Sequence, residues 1–505
     1  MLFPVFPRLV VYLFFLLSVV SFTEELSLYQ ALNLGLQNSF DLLIEEKNVS
    51  IARERLEKLK AVNATAMKID YQRRSKEKLQ NSIDFSSNTG IRNWEEHNWS
   101  ATMGFEGRSI HGTSYSLDYD INYMDNSLNR RAPSLSALFN PEVETFLGVK
   151  VNQPLLKNAG RAVNFAPRRI GVIEVKISDF RQQILLHNKV LEIINSYYDL
   201  LFAQENLDSR KKALVVAERF VELAERRMQA GQADRSDVDQ ARIRAHEAEE
   251  KILLARDFYR RVHNGLLRQL LGSVQKDTEI PEFMPSSQEF SITLPIRERE
   301  FYIDAALKNR PDYQAAEHEL QQSRLRLDYA AHQVLPELNL SFSYGYWGLG
   351  AGHDKSWNML NEWEEPELAV GLAYRIPLGG SVEERAEQRM REHQSAQSAL
   401  SLEKISTNIV LEVSDALKRI ELMNERALSV QKTRELAEST LQAEEKRYLN
   451  GRTSSFQVLE LQDRLSNAVT REISAKVDLK KAVEELWSVT GLLLSKNNLH
   501  LQEKK

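Results

Sequence analysis

The chain has 505 residues with 66 Lys and Arg, 71 Asp and Glu, no Cys and a net charge of -5, which excludes the electrostatic footprint of a general nucleic-acid binder and removes disulfides and thiolate chemistry. A mean hydropathy of -0.42 excludes a multi-span helical membrane protein, but not a transmembrane β-barrel, whose alternating strands barely register on such a scale. Length alone suggests about three domains, yet 20 Gly and 13 Pro are about half the usual share, so few turns are written and the elements must be long.

Residues 1–22 read as an export signal: Arg8 supplies the positive start, 9–20 are almost all Val, Leu and Phe, and Thr23-Glu24-Glu25 ends the run. The apolar run is about 14 residues against the ~20 that a span needs, which favours a signal peptide over an anchor. An opening helix follows over about 27–61, near 50 Å long at about 1.5 Å per residue. Residues 81–106 hold two strand-like pieces, 81–89 and 99–105, which either extend a barrel hairpin or form a small separate sheet. Tyr115, Leu117, Tyr119, Ile121 and Tyr123 then alternate with Ser116, Asp118, Asp120 and Asn122, and Val143, Thr145, Leu147, Val149 and Val151 repeat that spacing. Period two with one apolar face predicts strands at about 113–124 and 143–153. Pro154 ends the second, since it can neither donate to a ladder nor enter a helix interior, and Gly160 permits the bend into the next element. A helix over about 168–229, a tip at Gly231 and a returning helix over about 233–271 complete a hairpin. Its legs are about 93 and 60 Å long, so the opening helix is expected to stack end to end with the shorter one.

A link at 273–298, holding Pro281, Pro285 and Pro295, is expected on the outside of the molecule and leads into a second copy of the same unit. The first repeat thus covers 23–272 and the second 299–493, leaving a charged tail at 494–505. In the second copy Leu340, Phe342, Tyr344 and Tyr346 alternate with Ser341, Ser343 and Gly345, and Leu368, Val370, Leu372, Tyr374 and Ile376 alternate with Ala369, Gly371, Ala373 and Arg375. These predict strands at about 338–346 and 367–377, followed by a Pro377-Gly379-Gly380 exit and a hairpin with its tip at Gly451. Val190-Leu191-Glu192 recurs as Val410-Leu411-Glu412, and Gly231 as Gly451, both at an offset of 220. The seam of the first returning helix (Ala241, Ala245, Ala248, Ile252, Ala255, Tyr259) is matched by Leu461, Leu465, Ala468, Glu472, Ala475 and Leu479, where Glu472 alone breaks the apolar character. Such spacing packs one helix stripe against a neighbour at a coiled-coil angle. Asn38 and Asp41 pair with Asn309 and Asp312 at an offset of 271, so the first copy carries about fifty extra residues between opening helix and hairpin. Four strands cannot close a barrel, since about eight is the practical minimum, and open edges are not viable in lipid. A lipid-facing barrel therefore has to be assembled from several copies.

Asn309-Arg310-Pro311-Asp312, Ala315-Ala316, Leu335-Pro336, Asn152-Gln153-Pro154-Leu155-Leu156 with Gly160, Ile376-Pro377-Leu378-Gly379-Gly380 and Thr490-Gly491 stand in the order found in the TolC family of outer-membrane efflux proteins, which nearly all of the chain after residue 22 resembles. The resemblance implies a mostly α fold with a small β part and two internal repeats: a long α-helical coiled-coil barrel, and an outer-membrane β-barrel of twelve strands, four from each of three protomers. It also implies a homotrimer in outer-membrane lipid, a periplasmic adaptor protein, an inner-membrane pump, and passive export of small molecules or polypeptides. Adaptor docking would fall at the two tips, with Arg227, Gly231, Arg447 and Gly451. A tunnel gate would draw on Ser236 and Asp237 in the first tip and on Tyr448, Gln457 and Glu460 in the second. Thr453 and Gln457 depart from the family's basic and acidic residues, so a single ring of Glu460 is the gate the resemblance leaves, against the plain reading of Glu460 as a solvated helix residue.

The sequence has no G-x-S-x-G, phosphate loop or H-E-x-x-H, its His are scattered and its Met form no cluster, so no enzyme, cofactor or metal site is expected. Gly348, Gly350 and Gly352 read as an extracellular loop beside Trp347 and Trp357. The competing reading of the whole chain is a periplasmic structural coiled-coil protein with a soluble sheet and no channel.

Overall fold

A computed structural model of the protein describes residues 24–87, 90–127, 139, 141–272, 282–286, 293–294, 297–378, 380–450 and 452–499. The expected signal at 1–22, most of the 273–298 link, the end of the tail, Gly379 and Gly451 lie outside the described residues. The chain forms two units: one holds the segment up to Phe40, Leu186–Ala306 and the part from Glu412 on, the other Asp41–Leu185 and Leu307–Leu411.

The helices and strands come in two series. The first is β1 (Glu24–Leu26), α1 (Leu28–Asn38), α2 (Phe40–Ala61), β2 (Ala66–Leu79), α3 (Ser82–Ser87), β3 (Asn93–Arg108), β4 (Ser114–Met124), β5 (Glu142–Pro154), α4 (Arg161–Gln229) and α5 (Arg235–Leu270). The second is β6 (Phe283–Pro285), α6 (Arg299–Asn309), α7 (Pro311–Gln333), β7 (Glu337–Gly350), α8 (His353–Glu362), β8 (Pro366–Arg375), α9 (Val382–Leu449), α10 (Ser455–Val489) and α11 (Leu493–Lys496). The offsets seen in the sequence return in the element ends: α1, α2 and β2 begin 271 residues before α6, α7 and β7, and α4 and α5 stand 220 before α9 and α10 to within a residue. The opening helix expected over 27–61 is broken at Ser39, whose backbone is extended at φ -69° and ψ 112°.

In the first unit Ser27 caps α1 in a reciprocal pair with Gln30, the arrangement that satisfies two free helix N–H groups. Ala31, Leu32, Val190, Ile193, Ile194, Tyr197, Leu266 and Leu270 are buried. Gly35 lets α1 lie against α4 and α5, because a Cβ there would stand 2.6 Å from Ile193 Cδ1. Asn38 Nδ2 donates to Leu270 O at 2.9 Å, so the end of α1 satisfies a carbonyl left free at the end of α5. The Tyr197 hydroxyl donates to Leu26 O at 2.9 Å and ties down β1, which pairs in parallel with β6.

The odd residue of the α10 seam has a physical explanation. Glu472 is 8% exposed, yet Arg434 Nε reaches Oε2 and Lys476 Nζ reaches Oε1, each at 2.9 Å. Arg434 also pairs with Glu438 at 2.6 Å. A buried carboxylate is tolerated only when paired in this way. Burial pushes the Glu472 carboxyl up, and the two cations more than reverse that, leaving it below the usual range.

In the second unit α7 starts at Pro311, a residue suited to a first helical position. The Arg310 guanidinium grips Asp312 at 3.0 and 2.6 Å, and the Tyr313 N–H donates to the same carboxylate at 2.9 Å. Burial raises the Asp312 carboxyl and this fork brings it net below its ordinary value. Gly171 of α4 leaves room for Leu59 of α2, whose Cδ1 a Cβ would meet at 2.8 Å.

The sheet of this unit has six strands in the order β2-β3-β4-β5-β7-β8, antiparallel throughout. The count of four strands per protomer is therefore corrected: the four expected strands are consecutive neighbours, and β2 and β3 extend the sheet beyond them. Of the two undecided pieces, 99–105 belongs to β3, whereas 81–89 contains the short helix α3. β2 escaped notice because Arg73, Arg74, Lys76 and Lys78 mask its alternation. β7 runs on to Gly350 instead of ending near 346, since Gly348 and Gly350 leave room for α8: a Cβ on Gly348 would stand 2.0 Å from Ser356 O.

Replacing Glu472 by Ala is expected to lower stability by about 1–3 kcal/mol, as for other buried charged hydrogen-bond partners removed singly, and the double variant with Arg434→Met to recover part of it. Because the folded carboxyl titrates below its ordinary value of 4.5, its contribution is complete above that value and lost as the pH falls through the lower folded one. Thermal melting of both variants at neutral and acidic pH checks this.

Candidate functional site

The turn between α4 and α5 follows from Gly231, whose φ of 72° is strained for any side chain with a Cβ. Gly231 N–H donates to Met228 O at 3.0 Å and Gln232 N–H to Arg227 O at 2.8 Å, which satisfies the last helical carbonyls in a Schellman turn. The second tip repeats the outer bond 220 residues later, with Arg452 N–H donating to Arg447 O at 2.9 Å. Each following helix is capped. Asp234 N–H donates to Asp237 Oδ2 at 3.3 Å, and Gln457 N–H donates to Ser454 Oγ at 3.4 Å.

The two tips share one apolar core. Phe220 packs both against Ala224, Val238, Ala241 and Leu459 and against Leu441, Tyr448 and Val458. Tyr448 is 4% exposed. The Arg227 guanidinium lies 4.6 Å from the centre of its ring and donates to its carbonyl at 3.5 Å, a cation–π clamp between the hairpins. Arg227 is thus half-buried, while Gly231, Ser236, Arg447 and Gln457 are exposed. Asp237 is half-buried and serves the cap. Glu460 pairs with Arg464 on its own helix at 2.7 Å. Sequence reasoning missed the polar ties further along: Arg210 donates to Ser466 Oγ at 3.1 Å and Asn467 Oδ1 at 3.3 Å, Lys481 pairs with Asp199 at 2.6 Å, and Lys251 pairs with Asp463. They join helices far apart in the chain, so no local spacing announces them.

The sheet carries the second functional surface. Its register sets Met67, Phe105, Leu117, Val149, Tyr344 and Leu368 side by side across all six strands, and above them Ile69, Met103, Tyr119, Leu147 and Tyr346. A third row runs Tyr115, Val151, Phe342 and Val370. Since side chains alternate along a strand, one face is an apolar band. The other carries Lys68, Asp70, Asp118, Asp120 and Lys150 on β2, β4 and β5, and Ser341, Ser343, Ala369 and Gly371 on β7 and β8. Leu368, Val370 and Leu372 of β8 are 63, 66 and 68% exposed, an apolar surface that suits lipid and not water. α8 lies over Thr145 and Gly348 on the apolar face: the Thr145 and Ser356 hydroxyls are 2.7 Å apart, and the Tyr119 and Trp357 rings meet edge to face at 5.3 Å.

Long paired helices and a sheet with a lipid-type face fit the class of outer-membrane channel proteins. The sequence profile described as "Outer membrane efflux protein" matches residues 116–273 and 302–492, and the chain belongs to that family. It is similar to the alkaline protease secretion protein AprF of Pseudomonas aeruginosa, with 24% identity over 339 residues, which is 65% of this chain and 66% of that protein, a little under two thirds. Among solved structures it resembles the Campylobacter jejuni CmeC outer membrane channel, with 15% identity and a TM-score of 0.66 over 94% of this chain and 90% of that one. It also resembles the outer membrane protein VceC of Vibrio cholerae, with 17% identity and a TM-score of 0.61 over 92% and 96%.

The clamp gives a specific expectation. Tyr448→Phe keeps the ring under Arg227 and should leave the tips intact, whereas Tyr448→Ala should cost about 3–5 kcal/mol as large buried aromatics do. Hydrogen exchange of the amides of 441–461 checks this, with faster exchange expected for Tyr448→Ala alone.

Proposed function

We propose that the protein is the outer-membrane exit duct of a tripartite efflux or type I secretion system, acting as a homotrimer that conducts cargo passively while a pump in the inner membrane supplies the energy. The observation that carries this reading is the apolar band in register across the sheet of a chain that otherwise consists of long amphipathic helices. The alternative of a soluble periplasmic sheet would leave β8 with more than half of each large apolar side chain in water, and is disfavoured for that reason. The likeness to a protein named for protease secretion supports a polypeptide as cargo.

The hairpin tips are the proposed docking place for a periplasmic adaptor, with exposed Gly231 and Arg447 on the contact surface, Gly451 as the counterpart of Gly231 in the sequence 220 residues later, and Arg227 holding the tip in shape through Tyr448. The proposed gate is a ring of three Glu460 carboxylates. Arg464 offsets their repulsion in part, and Gln457, Ser236 and Asp237 are the polar neighbours along the same ends of α10 and α5. Like charges about a symmetry axis favour cations.

Detergent extracts of the outer membrane should yield trimers; a monomer recovered in the soluble periplasmic fraction would rule the duct out. In planar bilayers Glu460→Ala should raise single-channel conductance and lower cation preference, and an unchanged channel would remove Glu460 from the gate.

A further inference from the structure

The two copies of the repeat contribute unequally to the sheet. The second supplies one hairpin, β7 and β8, and the first supplies two, β2 with β3 and β4 with β5. The surplus accounts for the change of offset from 271 to 220 between the opening helices and the long hairpins. The family match begins at residue 116, inside β4, so β2 and β3 lie outside it. Both nevertheless belong to the same sheet: β3 pairs with β4 from Trp99↔Tyr123 to Arg108↔Ser114, and the apolar rows pass across β3 into β2 without a break in phase.

The outer edges of β2 and β8 pair with no described strand. Such edges are not viable in lipid, and six strands are too few to close. Successive antiparallel strands alternate in direction, so β8 runs opposite to β2. The edge of β8 in one copy can therefore accept β2 of the next in the same antiparallel sense, with both apolar faces outward.

Resting on the homotrimer proposed above, we infer that three copies close one barrel of eighteen strands through β2–β8 seams, wider than the twelve-strand barrel the family resemblance implies. A strand spacing of about 4.8 Å and a tilt of about 40° give backbone diameters of about 36 Å for eighteen strands and about 24 Å for twelve. Inward side chains take up about 10 Å, leaving lumens of about 26 and 14 Å. An α-helix with its side chains is about 10–12 Å across, so the twelve-strand lumen holds one helix and the eighteen-strand lumen holds two side by side. Of the inward residues of β7 and β8, Ser341, Ser343, Gly345, Ala369 and Gly371 are small, while the bulkier Trp347 packs against Phe146 of β5, ring centres 4.7 Å apart.

The chain has no Cys, so cross-links can be placed on a clean background. Val370→Cys on β8 is combined in turn with Met67→Cys, Ile69→Cys or Tyr71→Cys on β2, and in a second set with Leu117→Cys, Tyr119→Cys or Ile121→Cys on β4. Oxidation is expected to give covalent trimers in the β2 set and none in the β4 set. A trimer that cross-links through β4, or through neither strand, overturns the eighteen-strand barrel and leaves the duct reading standing, whereas a monomer in detergent overturns both. The lumen is read independently on the unaltered protein in planar bilayers, with polyethylene glycols added on the extracellular side. Polymers up to about 26 Å across should enter and lower the conductance, and exclusion beginning near about 14 Å overturns the wide lumen.

Discussion

In hydrocarbon a backbone N–H or C=O without a partner costs several kcal/mol, and no water is there to supply one. The rest of the protein is organised around that constraint. An open sheet with an apolar face can be placed in lipid only if its two edges are removed, and the chain by itself cannot bend six strands into a ring. Assembly is thus a condition of membrane insertion and not a later association of finished channels. The long helices have the opposite problem, with apolar stripes that need a neighbour in water. They meet it by packing in pairs, and the frequent Ala at the seam, with Ala241, Ala468, Ala475 and Ala482 buried, allows close approach.

The hairpin tips are the least forgiving part of the helical unit, because chain reversal exposes carbonyls just where a partner protein would dock. The solution is the same in both copies: a six-residue turn bond at the helix end and a capped start to the next helix. The cores beneath differ in detail but are linked through Phe220. A side chain such as Tyr448, which the family resemblance assigns to a gate, is consequently part of the packing that positions the tips. Any gating role it has runs through the placement of the hairpins, since the ring itself is covered.

The legibility of the fold in the sequence followed physical contrast. Helical hairpins were readable because their stripes repeat every three or four residues over long stretches and because the whole pattern recurs. β4, β5, β7 and β8 were readable because Tyr, Leu, Val and Ile alternate with small or polar residues. β2 was not: only Met67, Ile69 and Tyr71 carry its apolar face, and the remainder, through Lys78, is charged on both sides, as a strand rising out of the bilayer can afford to be. Glu472 looked like a defect in the seam, since its partner Arg434 lies on another helix and shares no spacing with it. At the tips the glycines and caps were visible, but the ring–guanidinium contact between hairpins depends on tertiary placement that no local pattern encodes.

The extra residues of the first copy also obey a parity rule. A single added strand would deliver the chain to the wrong side of the membrane, leaving α4 to begin outside the cell. It would also reverse the direction of one edge, so that β8 and β2 could no longer meet antiparallel. Adding β3 with β4 as one antiparallel pair avoids both errors: β2 still follows the opening helix, as β7 does in the second copy, and β5 still leads into the long helix, as β8 does. The starts of β2 and β4 lie at the same end of the sheet, on either side of the end of β3, where the Thr65 and Tyr115 hydroxyls are 2.8 Å apart. The added hairpin therefore keeps both junctions with the helices at that one end of the sheet. A barrel of this kind can widen only by whole hairpins per protomer, and in the proposed trimer each such step adds six strands at once.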